Sequence, residues 1–192
     1  MAMKTKKDLK DVFSGLASLL YQKTELDLSN LTGLAITPEF DLPVKVDTFN
    51  LEQGDPSIEH YKVIGLPGDW VTSSEPGDID LSFRVPTKHT DVLKMAYGED
   101  AVKQVTATVN TKGTGDGDNY TGVGLVLQQT KVDGTFILVS EDKKNLLVLT
   151  NTSLWAKPVL DQDTKGVFAL DFNGTIETDG TNPDILFLTK AA

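Results

Sequence analysis

At 192 residues the chain can bury a full core as one domain, or as one domain with an extension. Its 28 acidic against 18 basic residues, a net charge of −10, argue against a surface that grips nucleic-acid phosphates, which needs clustered Lys and Arg. The absence of cysteine excludes disulfides, thiolate metal sites and a cysteine nucleophile, and no apolar run approaches the ~18 residues of a membrane span.

The opening MAMKTKKDLKDVF has neither the apolar core nor the cleavage site of a signal peptide, and Asp8 and Asp11 interrupt the basic face of a transit peptide. In residues 6–22, apolar side chains recur at Leu9, Val12/Phe13, Leu16 and Leu19/Leu20, which predicts an amphipathic helix. Its stripe, Leu9, Phe13, Leu16 and Leu20, would dock on its own domain or on a neighbouring subunit. The following TELDLSNLTGLAITPEFDLP, with its turn formers and prolines, reads as an extended arm. The expected division is therefore 1–41, helix and arm, and 42–192, a β domain.

After Pro43 the period becomes two. DIDLSFRV (78–85) puts Ile79, Leu81, Phe83 and Val85 on one face and Asp78, Asp80, Ser82 and Arg84 on the other, a half-buried strand. Pro86 ends it. A short helix follows, capped by Thr87 or Thr90, with Val92, Leu93, Ala96 and Tyr97 as its apolar face and Gly98 at its end. KQVTATV (103–109) alternates again. GVGLVLQQTKV and TFILVS flank Asp133-Gly134, a dipeptide favoured in two-residue hairpin turns. SEDKKN turns into LLVLT; GVFALDFNGTIE aligns Phe168, Leu170 and Phe172; DILFLTK closes the chain. The fold class expected is mainly β, an antiparallel sandwich or barrel with one short flanking helix besides the N-terminal one.

Between two of these strands lies NTKGTGDGDNYTG (110–122). As a calcium loop counted from Asp116 it places Asp118 third, but Tyr120, Thr121 and Leu127 occupy the fifth, sixth and twelfth positions, so the pattern fails. A P-loop fails because Lys112 precedes the glycines, and the dinucleotide motif fails at Tyr120. What remains is a long hairpin loop, of a length uncommon in compact domains unless it functions or is disordered. Its Lys112, Gly113, Gly115, Asp116, Gly117, Asp118 and Asn119 are expected to contact another subunit.

Catalytic constellations are thin. His60 and His89 are the only histidines, no serine sits in G-x-S-x-G, and Asp78/Asp80 project from a solvated strand face. Trp70 and Trp155 suit sugar stacking, a core or an interface equally. No enzyme, cofactor or metal site is expected.

The extended arm, the strand and helix in DIDLSFRVPTKHTDVLKMAYG, the Gly/Asp-rich loop and the terminal GVFALDFNGTIETDG…DILFLTK together resemble bacteriophage tail tube proteins over about residues 40–190. The resemblance implies a β-sandwich with a flanking helix, made in the bacterial cytoplasm and built into virion tails. Its copies form rings, commonly hexameric, that stack with other tail proteins into a tube. DNA passes through as non-specific cargo. The resemblance also implies a long hairpin loop reaching the adjacent ring and an acidic inner wall, for which Asp78 and Asp80 are the candidates. A sandwich adhesion module using Trp70 or Trp155, a head–tail connector and a capsid-decoration protein are the other readings.

Overall fold

The computed structural model describes residues 12–111, 113, 117–160 and 165–191. Its strands, in chain order, are β1 (Ser18–Gln22), β2 (Phe40–Leu42), β3 (Asn50–Gln53), β4 (Ser57–Lys62), β5 (Asp69–Glu75) and β6 (Ile79–Val85). The helix α1 (Thr90–Tyr97) comes next, then β7 (Val102–Val109), β8 (Asp118–Leu125), β9 (Lys131–Val139), β10 (Asn145–Val159), β11 (Ala169–Ile176) and β12 (Ile185–Thr189). The described residues are mainly β, with antiparallel sheets and a single short α-helix, consistent with the expected β-sandwich.

It divides into two compact units, one drawn from 1–43, 134–152 and 178–192, the other from 44–133 and 153–177. The first boundary lies after Pro43, and residues 42–192, expected as one β domain, are shared between the two units. The segment before that boundary is completed by strands from the middle and end of the chain.

In the first unit β1 lies between β2 and β9. Leu19 pairs with Leu42 and Leu138, and Tyr21 with Phe40 and Phe136. The Tyr21 ring sits 4.9 Å from Phe136 and 6.1 Å from Phe40, at the tilted angles that aromatic quadrupoles favour. The first half of β10 continues this sheet, and β12 pairs with it from Asn145 to Leu149. Buried hydroxyls are satisfied: Thr152 Oγ1 donates to the Gly134 carbonyl at 2.9 Å.

This pairing corrects the expected N-terminal helix. Leu9 lies outside the described residues, but 12–17 are irregular, the backbone turns at Gly15 (φ +65°), and Ser18–Gln22 are strand. Leu19 and Tyr21, two apart, are buried, whereas Phe13, Leu16 and Leu20 are only half-buried and share no helical stripe. Pairing on both edges of β1 outweighs a local apolar period that is too short to decide between helix and strand.

Asp133-Gly134 is likewise no turn, for β9 runs straight through it. Gly134 has φ +149°, and a Cβ there would lie 2.6 Å from the Gln22 carbonyl oxygen and 2.8 Å from the Tyr21 ring. Glycine serves here for close approach within a strand.

In the second unit β11, β6 and β3 pair in that order, beside the latter part of β10. Leu81, Phe83 and Val85 of β6 are buried, as the alternation requires, together with Leu170 and Phe172. Phe83 stacks between Phe172 at 5.0 Å and Phe49 at 6.4 Å. The helix buries Val92, Leu93, Ala96 and Tyr97, and Gly98 ends it with its N–H on the Lys94 carbonyl. Its N-cap is His89, not Thr87 or Thr90. The His89 Nδ1 accepts the Asp91 N–H, while Thr87 Oγ1 accepts the His89 N–H at 3.1 Å.

Gly134→Ala should destabilise the protein by about 1–3 kcal/mol, through disallowed backbone and a carbonyl clash. Thermal unfolding followed by circular dichroism measures this. A hairpin-turn glycine would tolerate Asn with little loss, so an unchanged midpoint in Gly134→Asn would refute the strand placement.

Candidate assembly surface

The second unit carries two ribbons of only two strands each, β4–β5 and β7–β8. The first leaves the sheet at Gly54–Pro56 and returns at Pro76–Gly77. Proline lacks the N–H that a ladder needs, so the sheet cannot continue through either crossing. The crossings are tight. The Gly54 N–H donates to the Asp78 carbonyl at 2.8 Å, and a Cβ on Gly77 would come within 2.1 Å of the Gly54 oxygen. Backbone approach of this kind requires glycine.

Beyond that clip every residue of β4 and β5 is exposed. Ile58, Tyr61, Val63, Ile64, Leu66, Trp70 and Val71 are seven of the nineteen exposed large apolar side chains among the described residues. Polar contacts along the ribbon are local: His60 Nδ1 to Asp69 at 2.7 Å, and the Tyr61 hydroxyl to Glu59 at 2.9 Å. Two strands without a core face are marginal in water, and exposed apolar patches in general serve as protein or membrane interaction sites or ligand grooves, or promote aggregation. Sequence reasoning missed this ribbon. Its signal was the pair of Gly/Pro clusters around an apolar tip, VIGLPGD.

The ribbon β7–β8 shortens the expected loop. Asp118, Asn119, Tyr120, Thr121 and Gly122 are strand, paired with Val109 through Val105, and Thr108 Oγ1 donates to Asn119 Oδ1 at 2.7 Å. β-Propensity at Tyr120 and Thr121 extends the ladder beyond the glycine-rich turn. Gly113 (φ +72°) and Gly117 lie in the remaining connection, and Lys112, Gly115 and Asp116 are outside the described residues. Strand β8 also ends at Leu125, so 126–130 is a connection and not the strand expected there. Val105, Ala107 and Val109 share one face with Tyr120 and Gly122, and Val105, Val109 and Tyr120 are exposed.

The polar face of β3–β6–β11 carries the remaining candidates. Arg84 makes a two-pronged pair with Asp171, through Nε to one oxygen and Nη2 to the other at 2.9 Å, with both side chains more than four-fifths covered. Next along, Ser82 stands between Asn50 and Asn173, and Asp80 between Glu52 and Thr175. Asp78, just before β6, is exposed, as is Asp80. The structure therefore sets Asp80 directly beside Glu52, a like-charge pair that costs free energy in isolation.

The other titratable groups singled out among the described residues lie apart from one another. His60 is tied to Asp69, His89 caps α1, and the buried Tyr97 hydroxyl, which burial pushes up from its ordinary pKa, has no hydrogen-bond partner. Among the described residues no three His, Asp or Glu converge as metal ligands. Trp70 is exposed on the β4–β5 ribbon and Trp155 on β10. The chain matches no protein-family model and no curated protein.

Asp80→Asn should raise the thermal midpoint slightly at low ionic strength by relieving its repulsion from Glu52. The gain should vanish in about 1 M salt, where screening falls to about 3 Å. Differential scanning calorimetry at two salt concentrations reads both; a midpoint lowered at low salt would mean that Asp80 is favourably paired.

Proposed function

We propose that this chain is a structural virion protein that self-assembles into stacked rings forming a phage tail tube. The observation that carries the reading is the pair of exposed two-stranded ribbons. They present apolar side chains and unpaired strand edges that water stabilises poorly and that further copies would cover. The tail-tube resemblance supplies the ring and the tube; the ribbons supply a physical reason to assemble.

On this reading the 110–117 connection, at the tip of β7–β8, reaches a neighbouring copy. The acidic end of the β3–β6–β11 face, with Asp80, Glu52 and nearby Asp78, lines the channel. Carboxylates repel passing phosphates, whereas Lys or Arg would hold them. No catalysis is involved.

Negative-stain electron microscopy of the purified protein tests this: rings or tubes are expected, and monomers dispersed at high concentration would reject it in favour of a sandwich binding module. Deleting residues 113–117 should abolish tubes yet leave the thermal transition nearly unchanged, because closure entropy changes only slowly with loop length. Tubes of normal length from this variant would remove the loop from the interface. The Asp78→Lys/Asp80→Lys double variant should assemble and retain DNA; assembled tubes that hold no more DNA than the parent would place this face elsewhere.

A further inference from the structure

The second unit also contains an apolar groove of about 790 Å3, between α1, the base of the β7–β8 ribbon and the chain around Pro158. Leu93, Val123, Leu125, Leu127, Pro158 and Phe168 line it. A cavity of about 150 Å3 already admits a benzene-sized group, so this groove has room for several aliphatic side chains. Its lip is apolar too, since Leu127 and its neighbour Val126 are exposed. Among the described residues, Lys88 is the one charged side chain in the lining.

The same chain carries an object of complementary chemistry. At the tip of the β4–β5 ribbon, Val63, Ile64 and Leu66 are exposed, and Ile64 has no cover at all. The ribbon's charge is opposite to the groove's: 57–75 contains Glu59, Asp69 and Glu75 against Lys62. No residue of 57–75 lines the groove of its own chain.

We propose that the β4–β5 tip of one copy inserts Ile64 and Leu66 into the α1/β7–β8 groove of another. The inference rests on the self-assembly reading above and names the contact that would drive it. A plug and a socket at different places on one surface make a heterologous contact. Each copy then gives one and receives one, so the contact repeats until a ring closes or a fibre extends. Burial of an aliphatic anchor in this groove, with the Lys88 ammonium facing an acidic ribbon, would remove apolar surface of both copies from water.

The test uses two full-length variants at exposed positions, Ile64→Asp (plug lost, socket intact) and Leu127→Asp (socket lost, plug intact), in sedimentation velocity. Each alone should self-associate about 30-fold more weakly than the parent, or worse. Mixed in equal amounts they should form a dimer that grows no further, because just one competent plug meets one competent socket. A mixture that stays monomeric while the parent assembles overturns the plug and socket and leaves the tube reading standing. Assembly of either variant like the parent does the same. A parent that remains monomeric at every concentration overturns both.

Discussion

Two antiparallel strands by themselves satisfy half of their backbone groups and bury almost nothing, and this chain projects two such ribbons. Within the sheets, Tyr21 packs between Phe40 and Phe136, and Phe83 between Phe49 and Phe172. Those contacts hold the folded units. The β4–β5 ribbon receives no such support from a core face, since β4 and β5 are exposed along their full length, and β8 is half-buried only at its base, from Val123 to Leu125. Their persistence as ordered apolar surface is the constraint on which the proposed function turns. The Gly54/Gly77 crossing, with Pro56 and Pro76 beside it, ends the sheet and launches the ribbon as a separate element.

Charge acts against that association. A chain of net charge −10 repels its own copies, and Asp80 beside Glu52 adds a like-charge pair to the β3–β6–β11 face. The Arg84–Asp171 pair neutralises the other end of the same face. In the proposed tube that region faces a polyanion, and repulsion that weakens assembly would keep the cargo sliding. Exposed apolar ribbons and an acidic face thus have opposite effects on stability and a common use.

What could be read in advance follows from how each segment is buried. Strand β6 was legible because one face meets the core and the other meets water, and α1 because its apolar face repeats over a full helical turn. Strand β1 was not. Leu16, Leu19 and Leu20 fit a helical stripe as well as Leu19 and Tyr21 fit a strand, and the decision came from pairing with β2 and β9, which are distant in sequence. Asp133-Gly134 carries turn chemistry, yet glycine was needed to pass the Gln22 carbonyl and the Tyr21 ring. The β4–β5 ribbon was invisible for a related reason. With neither face against a core, it has no alternation to betray it. Asp78 and Asp80 were placed correctly opposite the apolar face, but the register that brings Glu52 to Asp80 could not be read from composition.

Amide hydrogen exchange read by mass spectrometry, on the dilute monomer and on the assembled protein, tests most directly whether other copies order the ribbons. Exchange reports local opening, which should be easy for a ribbon with no core face. Assembly through the ribbons predicts that peptides spanning 57–75 and 102–125 exchange quickly in the monomer and at least about tenfold more slowly in the assembly. Peptides from β6 and β11 should be protected in both. Equal exchange of the ribbon peptides in the two states would contradict it.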